Sequence, residues 1–278
     1  MEHNPLVSII IPCYNDWQYV EQAVASALNQ TYVHKEIIVI DDGSNVKTKE
    51  ILKKIEPKIT KLITQENKGQ STARNAGIEV SKGDYILVLD SDDFFEPSFC
   101  EKAFAIFKNN SNCKLVSCHA NLVSENKKTI LFTPAGGTIE DFLFSNAALG
   151  TSMFRKEDWN NCGHYDETMR SGLEDWEFFI RLLKNGGITE IIQEPLYNYR
   201  KRKCSTTTIA NRKKYELWNY IYLKHQELYK ENFAFFVSFM LARIEKEQNE
   251  KLKNLQRIEY KVGKVILKPI RWIKSLIN

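Results

Sequence analysis

The residues of this chain best suited to chemistry are Asp90, Ser91, Asp92 and Asp93, which follow directly on the apolar run Tyr85-Ile86-Leu87-Val88-Leu89. Carboxylates at the end of a buried strand repel one another and resist desolvation, so a cation or polar ligand is expected to compensate them. A charged turn would account for the tetrapeptide taken alone. Two further strand-like runs end in the same way, however. Residues 7–11 lead into Pro12-Cys13-Tyr14-Asn15-Asp16, and residues 36–40 lead into Asp41-Asp42-Gly43-Ser44. In an open α/β sheet such strand ends meet at one crevice, which is where ligands bind. Five or six carboxylates would then share one site.

The elements that must position these groups follow from the pattern. Residues 7–11 form the first predicted strand, followed by a helix from about 17 to 29 with Asp16 as its cap. Next come a strand at 36–40, a helix near 46–55, a strand at 58–64, a helix near 71–80 after Gly69 and a strand at 84–89. This βαβαβαβ series implies a parallel sheet with right-handed crossovers. Beyond Pro97 a helix is predicted to about Lys108, then β-rich runs at 114–123 and 129–132 and helices near 139–144 and 176–185. Short strands around 188–192 and 196–200 follow, and the pattern is helical from 205 to the end. There is no internal repeat and no low-complexity segment.

Composition agrees with a globular enzyme of 278 residues: 43% of residues are hydrophobic and 27% charged, close to globular averages. The six cysteines lack the spacing of a zinc site or a disulfide framework, which points to a reducing cytoplasm. His119 and His164 have no second histidine at ligand spacing and read as structural or surface residues. The amino terminus does not read as a signal peptide, because its short apolar stretch is preceded by Glu2 rather than by basic residues. The net charge of +4 is unevenly placed. From Leu252 onward there are seven basic residues and one acid, so the first 251 residues are net acidic. The apolar residues of this tail, among them Ile258, Val262, Ile266, Ile270 and Ile273, recur at helical spacing. A basic amphipathic helix with Trp272 near its end suits an anionic membrane surface, with docking onto the catalytic domain as the alternative. Aromatic residues are not interleaved with the charges, so nucleic acid is not an expected partner.

The segments Val-Ser-Ile-Ile-Ile-Pro-Cys-Tyr-Asn (7–15), Ile-Asp-Asp-Gly-Ser (40–44), Asn-Lys-Gly-Gln-Ser-Thr-Ala-Arg-Asn-Ala-Gly (67–77), Asp-Ser-Asp-Asp (90–93) and Glu-Asp-Trp-Glu (174–177) resemble those of a family 2 glycosyltransferase. The resemblance covers roughly residues 6 to 205. It implies an α/β GT-A (Rossmann-like) fold, a mostly parallel sheet flanked by helices. The catalytic domain would span 1–205, with a nucleotide-binding half to about 110 and an acceptor-binding half from about 111. A helical C-terminal region, 206–278, would end in the basic tail 252–278. A nucleotidyltransferase would share the layout but would carry a glycine-rich phosphate loop after the first strand, which Pro12-Cys13-Tyr14-Asn15 is not. A noncatalytic nucleotide- or glycan-binding module should lack one of Asp90, Asp92 or Asp175, and all three are present.

The resemblance also implies roles for single residues. A nucleotide-sugar donor carries a diphosphate whose leaving-group charge grows as the sugar departs, which calls for a divalent cation. Asp92 would be its main protein ligand, Asp90 would lie near the ribose or the metal, and hard oxygen donors suit Mg²⁺ or Mn²⁺. Asp93 would touch metal-bound water or the sugar, or else serve only as a turn cap. Pro12 and Tyr14 would face the nucleobase, Asp41 would meet its hydrogen-bonding edge, which favours a UDP-sugar, and Ser91 would join the donor site. Arg74 would contact the nucleotide or help place Asp41. Asp175 would be the base that deprotonates the acceptor hydroxyl, giving inversion, with Glu174 and Trp176 beside it. Gly150 and Thr151 would form an acceptor or phosphate loop. Many relatives place a histidine after the last strand. This chain has Arg200, Arg202 and Lys203 there, which would neutralise phosphate by charge. The implied partners are a nucleotide-sugar donor and a saccharide or lipid-linked acceptor, at the inner face of the plasma membrane in bacterial surface polysaccharide synthesis.

Overall fold

A computed structural model of the chain describes residues 5–124, 128–202, 205–258, 260, 262–263 and 266–267. In chain order its elements begin with β1 (Val7–Cys13), α1 (Val20–Leu28), β2 (Lys35–Asp42), α2 (Val46–Ile55), β3 (Lys61–Gln65), α3 (Gln70–Val80) and β4 (Tyr85–Val88). The second half continues with β5 (Phe94–Phe95), α4 (Phe99–Asn109), β6 (Cys113–Val123), β7 (Thr129–Phe132), α5 (Ile139–Phe142), β8 (Met153–Arg155), α6 (Lys156–Cys162), α7 (Glu174–Leu183) and β9 (Ile188–Arg200). Helices α8 (Thr206–Arg212), α9 (Lys214–Lys224), α10 (Gln226–Glu231) and α11 (Phe233–Gln256) follow.

The described strands form one sheet in the order β3-β2-β1-β4-β8-β6-β9-β5, with β7 paired to β6. Strands β3, β2, β1 and β4 are parallel, as the βα alternation requires. Strand β8 runs antiparallel between β4 and β6 and joins this half to the second. All seven residues of β1 are buried, which fits a central strand covered on both faces and explains its unbroken apolar sequence. Helix α3 lies close against it. A Cβ at Gly77 would stand 2.5 Å from Ile40 Cδ1 and 2.7 Å from Ile10 Cγ2, so only glycine permits this approach.

Several boundaries differ from the sequence expectation. Helix α1 starts at Val20, not near 17, and Asp16 does not cap it with its side chain. The Asp16 carboxylate is engaged elsewhere, by Ser91 and Arg202. Strand β3 starts at Lys61 because Glu56–Lys58 form a 3₁₀ turn around Pro57. The short pieces β5, β8 and α6 carry too few residues for a periodic signal. The two strands expected around 188–200 are one, β9, which pairs parallel with β6 through register irregularities near His119. Exposed Gln193, Glu194 and Pro195 interrupt its apolar pattern at this bulge without ending the strand.

The chain divides into two compact units, residues 1–224 and 225–278, so that α8 and α9 belong with the sheet. In the first unit Lys224, at the end of α9, pairs with Asp166 and with buried Glu177 of α7. In the second unit Tyr229 of α10 meets Phe236 of α11 at 5.3 Å between ring centroids. Helix α11 ends at Gln256, where Arg257 turns to extended geometry, so residues 252–278 do not form one continuous helix. Most of that expected amphipathic tail, including Trp272, lies outside the described residues. No helix of the described residues is long and apolar enough to cross a membrane.

Candidate active site

The ends of β1, β2 and β4 carry the acids to one edge of the sheet. Pro12 is buried in β1 opposite Ile40, while Tyr14, just past the strand, is 51% exposed and free to present its ring. Asp41 is buried and accepts a hydrogen bond from the Ser44 N–H at 2.9 Å. The two strand ends are tied through Asn15, whose backbone is left-handed at φ 62°. Its N–H donates to Ser44 Oγ, and its side-chain oxygen accepts the Asn45 N–H. Asp42, whose role the sequence did not reveal, accepts from Gln65 Nε2 and from the N–H groups of Lys68 and Gly69. It thereby fixes the loop that starts α3.

The tetrapeptide divides by exposure. Asp90 and Asp92 keep 25% and 22% of their side-chain surface, so both reach the crevice. Asp93 does not. It is buried and accepts from Tyr197 Oη at 2.5 Å and from the Arg200 N–H at 2.7 Å. The expectation of a contact to water or sugar is therefore corrected: Asp93 fastens the turn to β9. Burial and the charges of Asp92 and Asp90 hold its carboxyl well above the ordinary range. Burial, with Asp90 and Asp16 nearby, also raises Asp92, against the lowering effect of Arg202. Ser91 is buried and donates its hydroxyl to Asp16 Oδ2 at 2.7 Å, which removes it from the expected donor contacts.

Arg74 also departs from expectation. It is 2% exposed and lies between Asp90 Oδ1 at 2.9 Å and Glu174 Oε1 at 2.7 Å, with Tyr165 beneath its guanidinium. A side chain so enclosed neither meets a nucleotide nor reaches Asp41. It bridges Asp90, past the end of β4, to Glu174 at the start of α7. Gln70 adds a second donor to Asp90 Oδ1.

Helix α7 presents Glu174 and Asp175 in its first turn, where the helix dipole favours acids. Leu173 before it adopts a left-handed backbone, φ 62°. Asp175 retains partial exposure, and Asn146 Nδ2 donates to its Oδ2 at 2.8 Å. No sequence motif pointed to Asn146. Gly150 is the neighbour that makes room for this carboxylate: a Cβ there would lie 2.7 Å from Asp175 Oδ2. Thr151 is buried beside it in sequence. Burial holds the carboxyls of Asp175 and Glu174 above their ordinary values, with Arg74 opposing the shift. Trp176 is a core residue that donates Nε1–H to the Phe142 carbonyl, not a ligand contact.

At the end of β9, Arg200 donates to the Asp92 carbonyl and to Gln22 Oε1, and its guanidinium faces the rings of Tyr19 and Phe94. It is committed to packing rather than presented to phosphate. Arg202 pairs with both Asp16 and Asp92. Lys203 lies outside the described residues. His164 stacks on Trp159 at 3.8 Å, a structural position.

A parallel half-sheet with acids at its strand ends, joined to a mixed half that carries an acid at a helix start, has close counterparts among solved structures. The S. aureus TarS 1-349 structure in complex with UDP-GlcNAc superposes with a TM-score of 0.61 at 19% identity, over 73% of this chain and 60% of that one. The fold is thus the mixed α/β GT-A architecture. Residues 8–173 match the family described as Glycosyl transferase family 2, and the chain belongs to it. An uncharacterised glycosyltransferase of Haemophilus influenzae is 32% identical over 81% of this chain and 90% of its own length. The chondroitin synthase of Pasteurella multocida is 32% identical over 66% of this chain and 19% of that protein.

Proposed function

We propose that this family 2 glycosyltransferase transfers a sugar from a UDP-sugar to a saccharide or lipid-linked saccharide, with inversion and with the help of a divalent cation. The observation that carries the reading is the placement of two unlike acid sites across one bridge. Asp90 and Asp92 stay partly exposed at the parallel strand ends, and partly exposed Asp175 starts α7 beside Glu174, which Arg74 ties to Asp90. The structural likeness to TarS in complex with UDP-GlcNAc, and the sequence likeness to a chondroitin synthase, support a nucleotide-sugar donor and a saccharide acceptor.

The carboxylates fit a hard cation. No group of three or more metal-ligating side chains occurs among the described residues, so Asp92, with Asp90 beside it, would hold an ion that takes further oxygens from a diphosphate. When bound, Mg²⁺ or Mn²⁺ supplies charge neutralisation at the leaving diphosphate. The protein's own groups do the rest. Tyr14 offers a ring face to the base, Asp41 offers an acceptor oxygen near it, and Asp175 takes the acceptor hydroxyl's proton while Asn146 orients the carboxylate. In calorimetry UDP should bind measurably only with Mg²⁺ or Mn²⁺ present. Equal affinity in chelator would remove the cation from the mechanism.

The basic residues from Lys253 to Lys274 support a peripheral position at an anionic membrane surface, where a lipid-linked acceptor would be met. The full chain should sediment with anionic vesicles at low salt and progressively less as salt rises, since screening weakens such attraction. Indifference to vesicle charge at every salt concentration would reject this placement.

A further inference from the structure

Arg202 holds Nη1 2.7 Å from Asp16 Oδ1 and 2.8 Å from Asp92 Oδ2, with its guanidinium over the Tyr19 ring. The other Asp16 oxygen is tied by Ser91, so the two carboxylates are set as a pair about one cationic group. Asp90 is already engaged by Arg74. The two arginines differ in one decisive respect. Arg74 is 2% exposed and locked, whereas Arg202 is 32% exposed on the loop after β9 and can exchange partners with solvent or ligand.

We propose that Arg202 is a resident counter-ion that holds Asp16 and Asp92 against a divalent cation until a diphosphate arrives, so that metal and nucleotide bind together and metal does not bind first. This rests on the metal-dependent donor site proposed above and adds Asp16 and Arg202 to it as determinants of binding order. A cation at Asp92 would need a carboxylate oxygen as its ligand. Arg202 already holds one of the two Asp92 carboxylate oxygens, Oδ2, and two cationic groups on one carboxylate repel. Metal alone would displace Arg202 and give it no anion to move to. A diphosphate supplies that anion, because an arginine fork matches phosphate oxygens as well as carboxylate. The same ligand thus brings oxygens for the cation and a partner for the released arginine. By linkage, each of the two ligands strengthens the other.

The test measures Mn²⁺ binding to the full chain from the paramagnetic resonance signal of free Mn²⁺, with and without UDP, for wild type, Arg202→Gln and Arg202→Lys. Without UDP, Arg202→Gln should bind Mn²⁺ about tenfold more tightly than wild type, the scale of one charge-assisted pair removed. Arg202→Lys keeps the positive charge and should stay near wild type. With UDP the wild-type affinity for Mn²⁺ should rise by a larger factor than that of Arg202→Gln. Equal Mn²⁺ affinity of wild type and Arg202→Gln without UDP overturns the proposal, as does a lysine variant that behaves like the glutamine one. The two readings fail separately. If UDP binds all three proteins equally in chelator, the metal-dependent donor site is wrong. If UDP requires Mn²⁺ throughout, yet Mn²⁺ alone does not distinguish the proteins, that site stands and the counter-ion role falls.

Discussion

Asp175→Asn is expected to retain UDP-sugar binding and lose sugar transfer by at least about 10²-fold, the low end for removal of a general base. The substitution keeps the shape of the side chain and removes its capacity to take a proton. Asn146 and the absence of a side chain at Gly150 hold the carboxylate in one place, so little repacking should follow. Loss of one acid from the first turn of α7 should change stability by only about 0.3–1 kcal/mol. Binding and turnover are to be measured on one preparation. A near wild-type rate would leave Asp175 a helix-dipole residue and place the base elsewhere. The pH profile gives a second handle on the same group. Burial holds Asp175 above the ordinary carboxylate range, and only the ionised form accepts a proton. Transfer by wild type should therefore decline, as pH falls, at a higher pH than an ordinary aspartate would dictate.

Arg74→Met should destabilise the protein by about 3–5 kcal/mol, the range seen when one partner of a buried ion pair is removed and the other is left without compensation. Both Asp90 and Glu174 lose their arginine at once, and Glu174 is only 7% exposed. The partial exposure of Asp90 moderates its share, so the lower part of the range is expected. Arg74→Lys keeps the charge but not the two-pronged geometry and should fall between. Denaturant titration measures the effect. A change below about 1 kcal/mol, accompanied by weakened UDP binding, would return Arg74 to the nucleotide contact that its motif implies.

The parallel half of the fold was legible because burial on both faces leaves an uninterrupted apolar run, and β1, β2 and β4 each show one before their acids. Asp90 and Asp92 stand out because they follow such a run, whereas Asp175 stands out only through the resemblance of Glu-Asp-Trp-Glu to the family's segment. What the sequence hid was pairing across distance. Nothing local distinguishes Asp92, which reaches the crevice, from Asp93, which Tyr197 and the Arg200 N–H enclose. Asp16 sits where a helix cap belongs, and only the return of the chain after β9 shows that its partner is Arg202. Strand β9 looks like two strands in the sequence because its bulge residues face solvent and break the alternation. Asn146 belongs to no motif, since a single amide directed at a carboxylate needs no neighbours in sequence.

The Arg74 bridge bears on how the protein is made as well as on how it works. Its two bonds join groups 16 and 100 positions away along the chain. The near partner, Asp90, is delivered with the parallel strands, whose connections are local. The far partner, Glu174, arrives only when the chain has closed a much longer loop and α7 has docked, and contacts of such separation form slowly. Until then the arginine has only one of its two carboxylate partners. The acids at the parallel strand ends and the acid pair at the start of α7 are therefore brought to their final spacing by one long-range contact, and a chain that has folded only its parallel strands would lack it.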